Sequence, residues 1–383
     1  MEFAMKREEY IKTDSWIDQA NDFTNPNLLF AQKALSFLRK GCGVKLLHTG
    51  PEKLDCSLGD HAGGSIPNLI FKTGGTTGVP KDIVHDSMTI FSAVESLCLR
   101  TEANGFSCVQ CLPLHHIGGW MQLERAWRTG GTVFFCNYRD LNQPELKKFL
   151  QGRLLSLVPT QLHCLVTDSK ACSNLRGCSG IFVGGAAMSE ELAEMSRKEN
   201  LPIVPCYGMT ETAGMITMLD YSDFAAGQNG VGSVLPNTEM RSSEKDGSIC
   251  VRTKSLCHSS GSESYHANQW FETADFGIED KIGRWNILGR LDGFINSGGE
   301  KVNPISVQQA IMATGHVREC LVATEPNEKW GESMLAWVTP RNCPIQKIKD
   351  SLKGNLRPFE IPKKWKTVEK LPLNEAGKHN IHI

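Results

Sequence analysis

The chain predicts an α/β protein: a large N-terminal domain of layered α/β sheets and a small α+β C-terminal domain. Short apolar runs alternate with helical patterns as far as about Val231, and from there the texture changes to short strands and turns. After Asp292 it changes again, to a compact tail in which two helices flank two strands.

The first clear apolar run is 69–71, and a helix is expected from about Asp86. Residues 106–114 read as a strand. Runs 154–158, 180–183 and 203–206 are apolar and bounded by Gly, Pro or Thr, as strands buried on both faces are. Residues 189–198 read as a helix, with Ser189 as its N-cap and Glu190 and Glu191 favoured by the helix dipole. Strands are expected at 247–252 and 284–288. The boundary falls at 290–293, giving domains 1–290 and 291–383. In the tail, 304–313 and 344–353 read as helices, and 321–324 and 334–339 as strands.

Composition excludes several classes. With 41 basic and 42 acidic residues the net charge is −1, which gives no pull toward nucleic acid or an anionic membrane. No apolar run is long enough to span a bilayer, and the first residues lack the apolar core of a signal peptide. The 14 cysteines are scattered, and Cys98, Cys164 and Cys320 lie in apolar surroundings, so reduced thiols in a cytoplasmic enzyme are expected. Cys108 and Cys111 form a C-x-x-C followed by His115 and His116, which suggests zinc. Against zinc, residues three apart on a strand face opposite sides, and no second C-x-x-C follows at zinc-ribbon spacing.

The densest motif is Thr73-Gly74-Gly75-Thr76-Thr77-Gly78-Val79-Pro80-Lys81, with three glycines and three threonines in nine residues. Glycines let a backbone approach a ligand, threonine hydroxyls and freed N–H groups donate to phosphate oxygens, and Lys81 adds a charge. Val79 and Pro80 separate the last glycine from the lysine, so this is not a Walker A loop. Further polar motifs follow strands, where ligands of open α/β sheets bind. Tyr207-Gly208-Met209-Thr210-Glu211-Thr212 offers an aromatic face, a hydroxyl and a carboxylate for a hard cation such as Mg²⁺. Gly184-Gly185-Ala186-Ala187 lets a flat ring lie against backbone. Thr273-Ala274-Asp275-Phe276-Gly277 sets one carboxylate in a turn, suited to a ribose diol, and Gly289-Arg290-Leu291-Asp292-Gly293 brings a cation.

Taken in order with Leu112-Pro113-Leu114-His115-His116-Ile117-Gly118-Gly119, Ser297-Gly298-Gly299-Glu300-Lys301 and Pro372-Leu373-Asn374-Glu375-Ala376-Gly377-Lys378, these segments resemble the adenylate-forming superfamily of acyl- and aryl-CoA ligases, luciferases and peptide-synthetase adenylation domains. The resemblance runs from about Phe71 to Lys378. Segments 156–162 and 183–187 are most similar to the o-succinylbenzoate–CoA ligases of menaquinone biosynthesis.

The resemblance implies that a carboxylate attacks the α-phosphorus of Mg·ATP and that CoA then displaces AMP. On that pattern Lys378 bridges carboxylate and α-phosphate, the residues from Thr73 to Lys81 hold the β- and γ-phosphates, Thr210 contacts the α-phosphate, and Glu211 holds Mg²⁺. It also implies that Tyr207 stacks on adenine beside Gly185 and Ala186, that Asp275 and Arg290 hold the ribose, that Gly184 contacts the acid substrate, and that His116 gates the acyl pocket. Asp292 matches the hinge, and Gly298 and Gly299 the thiol tunnel.

An aromatic diacid needs an apolar slot and a donor for its unreactive carboxylate, with Trp120 and Arg125 as candidates. The competing views are that Arg125 pairs with Glu124 on an exposed helix face and that His116 is a core histidine.

Three features depart from the pattern. Only 72 residues precede Thr73, a stretch shorter than in most relatives, so apolar surface and a homodimer are expected. Lys72 and Asp82 flank the phosphate segment where relatives carry small or apolar residues. The chain ends five residues after Lys378. Two other readings stand beside the ligase: an enzyme that loads an acyl-carrier protein, and a silent nucleotide-binding or scaffold protein.

Overall fold

The computed structural model describes residues 43–48, 54–59, 69–73, 81–103, 105–245, 247–266, 268–290, 295–297, 300–302, 304–327, 331–369 and 371. The chain forms two compact units, the first comprising Met1–Arg241, Cys250–Phe271 and Glu279–Asn286, the second Ser242–Ile249, Glu272–Ile278 and Ile287–Ile383.

The described residues of the first unit begin with strands β1 (Gly43–His48), β2 (Leu54–Gly59), β3 (Leu69–Thr73) and β4 (Lys81–His85). β1 pairs antiparallel with β2 and parallel with β3, and β3 pairs antiparallel with β4 so that Thr73 lies opposite Lys81. Helix α1 (Ser87–Thr101) follows at once. Its N-cap, Asp86, accepts hydrogen bonds from the Met88 and Thr89 N–H groups at 2.9 and 2.8 Å, which stops the strand and starts the helix.

A second sheet carries the candidate site. β5 (Cys108–Gln110), β6 (Val133–Phe135), β7 (Leu154–Leu157), β8 (Gly180–Val183) and β9 (Ile203–Met209) are parallel in the order β6–β5–β7–β8–β9. β10 (Gly214–Met218) and β11 (Gly232–Val234) continue it antiparallel. Helix α2 (Ile117–Arg128) lies on one face with α1. Helices α3 (Pro159–Val166), α4 (Ser169–Leu175) and α5 (Glu190–Lys198) pack on the other. The period-2 alternation of a strand divides the two cores: Ile181 and Val183 of β8 face α3–α5, while Phe182 faces α1 and α2. Ser189 caps α5 as expected, accepting from the Leu192 N–H at 3.2 Å.

β12 (Thr238–Ser242) and β13 (Ser248–Thr253) come next, and the short β14 (Ser259–Ser260) and β15 (Glu263–Ser264) complete the first sheet, β14 pairing with β4. β16 (Phe271–Glu279) belongs to the second unit from Glu272 to Ile278, and β17 (Arg284–Arg290) belongs to the first unit as far as Asn286 and to the second from Ile287. The second unit then holds β18 (Ile295–Ser297), β19 (Glu300–Val302), α6 (Pro304–Ala313), β20 (Val317–Asn327), β21 (Gly331–Pro340), α7 (Ile345–Leu352) and β22 (Lys364–Thr367). Its sheet order is β19–β18–β21–β20, with β22 parallel to β21, and Val307, Ile311, Val322, Ala336 and Ile348 build its core.

Several elements run differently from the sequence reading. The strand expected at 106–114 is only Cys108–Gln110. Asp275 lies inside β16 rather than in a turn, and β9 continues through Tyr207 to Met209. Ladder pairing with neighbours overrides the low strand propensity of Asp and Gly at these positions. No helix among the described residues is long and apolar enough to cross a membrane.

Candidate active site

Three loops follow the carboxyl ends of β5, β8 and β9, parallel strands of one sheet. After β5, the segment from Leu112 to Gly119 is tied to the sheet by Gln110. That fully buried side chain donates from Nε2 to the Leu112 carbonyl at 2.8 Å and to the Gly119 carbonyl at 3.1 Å. A Cβ at Gly119 would sit 2.3 Å from the Pro113 oxygen, so only glycine fits. His116 is the N-cap residue of α2 and is exposed, its ring 4.2 Å from that of His115, so it is not a core histidine.

After β8, Gly184 is packed against Cys206 of β9, and Gly185 adopts φ +79°, which a side chain would strain. Gly185 and Ala186 are exposed and Tyr207 is half-buried. After β9 the chain makes a single 3₁₀ turn, Thr210–Thr212, closed by Ala213 in the left-handed region at φ 54°. Its backbone is held from several sides. The Thr210 carbonyl accepts from His85 Nε2 at 2.7 Å and from the Ala213 N–H at 3.1 Å; the Glu211 carbonyl accepts from the Cys257 N–H at 2.7 Å. The side chains of Thr210 and Glu211 are half-buried, and the Thr210 hydroxyl makes no hydrogen bond among the described residues. A hydroxyl and a carboxylate on a fixed turn are the donor and hard ligand that a phosphate and Mg²⁺ require.

In the second unit Asp275 and Arg290 come together, Nη1 to Oδ1 at 3.3 Å, and the Asp275 N–H donates to Thr273 Oγ1 at 3.1 Å. Arg290 is the exposed partner and Asp275 the buried one.

Helix α2 changes the sequence reading most. Trp120 is wholly enclosed, 0% exposed, and donates from Nε1 to Glu124 Oε1 at 2.9 Å. Trp120 packs in the core between α1, α2 and the sheet. Glu124 also pairs with Arg128, Nε to Oε2 at 2.8 Å, and leaves Arg125 without an acid. Arg125 is buried, 6% exposed, and no hydrogen bond or ion pair reaches its guanidinium among the described residues. It lies over the Phe182 ring, 5.2 Å from the centroid. Burial lowers its pKa, and the nearby thiols of Cys108, Cys206 and Cys98 oppose that only weakly. The expected exposed Arg125–Glu124 pair is therefore absent. Sequence reasoning also missed Gln110 and His85, each the last residue of its strand.

Burial raises the thiol pKa of Cys108 to about 12 and pushes that of Cys111 well above its ordinary value. Both are free and buried, and the described residues contain no group of metal ligands there. Cys164 is exposed, contrary to expectation, on the outer side of α3. Of the other expected site residues, Thr73 and Lys81 are strand partners, with Thr73 Oγ1 donating to the Lys81 carbonyl at 3.4 Å. Gly74, Gly75, Thr76, Thr77, Gly78, Asp292, Gly298, Gly299 and Lys378 lie outside the described residues.

The AMP-binding enzyme family profile matches residues 62–258, and that of the AMP-binding enzyme C-terminal domain matches 306–378. The 2-succinylbenzoate–CoA ligase of Listeria monocytogenes is 28% identical over 323 residues, covering 81% of this chain and 68% of that protein. The indoleacetate–CoA ligase of Aromatoleum aromaticum is 27% identical over 338 residues, covering 82% of this chain and 66% of that one. The solved o-succinylbenzoate CoA synthetase of Bacillus subtilis, in complex with its acyl-adenylate intermediate, has the same fold, with TM-score 0.70 at 24% identity over 81% of this chain and 67% of that one.

Proposed function

We propose, from the premise that this chain belongs to the AMP-binding enzyme family, that it is an AMP-forming acid–CoA ligase whose acid is a diacid of the 2-succinylbenzoate type. In the first half-reaction a carboxylate oxygen attacks the α-phosphorus of ATP and pyrophosphate leaves. In the second the CoA thiolate attacks the acyl carbon and AMP leaves.

The residues divide that work. Tyr207 stacks on adenine against Gly185 and Ala186, Gly184 contacts the acid, and Asp275 with Arg290 holds the ribose hydroxyls. The Thr210 hydroxyl donates to an α-phosphate oxygen as charge builds there. Glu211 would hold Mg²⁺, which when bound neutralises phosphate charge. The residues from Thr73 to Lys81 hold the β- and γ-phosphates. Lys378 bridges carboxylate and α-phosphate in the first half-reaction only. Rotation at Asp292 then withdraws the 291–383 domain and brings Gly298 and Gly299 to the thiol. His116 gates the acid pocket.

Arg125 is the observation that carries the diacid. An enclosed guanidinium without a carboxylate is costly in the free protein, and a second carboxylate on the substrate would supply the missing partner. The relatives named as 2-succinylbenzoate–CoA ligases support the same class.

The test is an AMP-release assay of the full chain with ATP, Mg²⁺ and a panel of mono- and dicarboxylic acids, followed by thioester analysis with CoA or acyl-carrier protein as acceptor. We expect AMP and a CoA thioester with 2-succinylbenzoate. Preference for a fatty acid overturns the substrate, a thioester on carrier protein alone overturns the acceptor, and no AMP with any acid overturns the ligase.

A further inference from the structure

One buried titratable group has no part in that chemistry. His85, the last residue of β4, is 0% exposed and lies between the strand that begins at Lys81 and the turn that carries Thr210 and Glu211. Its Nε2 is 2.7 Å from the Thr210 carbonyl oxygen. A carbonyl only accepts, so Nε2 carries the hydrogen and Nδ1 of the neutral ring is left as the acceptor, 3.0 Å from Thr89 Oγ1 in the first turn of α1. The ring is packed edge-on against Phe71 of β3, with centroids 6.2 Å apart. Burial lowers its pKa to about 4, which keeps it neutral and the tautomer fixed.

A second tie runs in parallel. The Cys257 N–H binds the Glu211 carbonyl at 2.7 Å, the next residue's N–H binds the Val84 carbonyl at 2.8 Å, and the His258 Nε2 pairs with Asp86 Oδ2 at 3.0 Å. The turn is thus held by its carbonyls, that of Thr210 by His85 and that of Glu211 by Cys257.

We propose that His85 is a positioning residue for adenylate formation: its Nε2–H fixes the Thr210–Glu211 turn relative to the strand that leaves the phosphate segment. This rests on the reading that Thr210 and Glu211 act at the α-phosphate. Displacing a reacting group by a fraction of an ångström is felt in the transition state more than in substrate binding, so the effect belongs in kcat.

The experiment measures ATP–pyrophosphate exchange and unfolding midpoints for four variants. His85→Leu keeps bulk and loses the donor; we expect kcat to fall about tenfold to a hundredfold with the KM of the acid unchanged. His85→Gln can present an amide N–H near the Nε2 position and should recover most of the rate, whereas His85→Asn, one methylene shorter, should not. Thr89→Val should cost less than His85→Leu. A folded His85→Leu enzyme with wild-type kcat overturns the proposal, as do equal rates for the Gln and Asn variants; that pair decides the matter even where the Leu variant does not fold. Thr210→Ala and Glu211→Ala are measured alongside. If both leave exchange intact, the reading of the turn fails; if they abolish it while His85→Leu does not, only the positioning role fails.

Discussion

Glu124 and Arg128 on α2, and Asp350 and Lys353 at the end of α7, are acid–base pairs about one helical turn apart and look alike in the sequence. On α2 the side chains are 4% and 3% exposed at an N–O distance of 2.8 Å; on α7 they are 50% and 68% exposed at 2.6 Å. The shorter contact is the weaker tie. Water solvates each α7 charge whether or not its partner is present, whereas on α2 each charge has given up water and depends on the other. Arg125 sharpens the contrast, because it shares the burial of α2 and has no acid. His85 answers burial in a third way, by giving up its charge. Pairing, neutralisation and waiting for a ligand are the ways a desolvated group is made tolerable, and only the last points to a binding site.

The largest expected effect is Glu124→Ala, which takes the carboxylate from the buried Arg128 and orphans the Trp120 N–H. Chemical denaturation should show a loss of about 3–5 kcal/mol. A loss below about 1 kcal/mol would place the pair with the surface class and break the comparison.

His85 comes next. Its folded pKa of about 4 lies below the ordinary 6.5, so the unfolded chain binds the proton more readily. The stability it contributes is complete above pH 6.5 and is lost as pH falls toward 4, by about 3 kcal/mol. Unfolding curves across that range should fall more steeply for wild type than for His85→Gln. Parallel curves would mean that the ring accepts a proton in place.

Asp350→Ala should be the smallest, with an unfolding midpoint indistinguishable from wild type in physiological salt. Hydrogen bonds from Lys353 and Gln346 hold the Asp350 pKa below its ordinary value, but the group is solvated. A midpoint shift as large as that of Glu124→Ala would show that spacing, not burial, decides the value of such pairs.

The sequence made the alternating architecture legible, because apolar runs bounded by turn residues, such as Gly180–Val183, have few other readings. It also located the loops after β5, β8 and β9. It could not assign environments on α2. Most of that helix is buried, Gln122, Glu124 and Arg125 included, so a pattern of charges at turn spacing was read as a solvated face. Asp275 was read as a turn residue because local propensity disfavours Asp in strands, and long-range pairing decided otherwise. His85 carried no local signal at all, since its partner, Thr210, is distant in sequence.

Arg125→Leu tests the central claim most directly, with the KM for 2-succinylbenzoate, the KM for ATP and the unfolding midpoint measured on one preparation. Removing a buried charge that has no partner should leave the midpoint at or above wild type, the opposite of Glu124→Ala. The KM for the diacid should rise about tenfold to a hundredfold while that for ATP stays the same. An unchanged KM for the diacid, or a midpoint that falls as far as in Glu124→Ala, would show that Arg125 belongs to the scaffold and is not held in reserve for a substrate carboxylate.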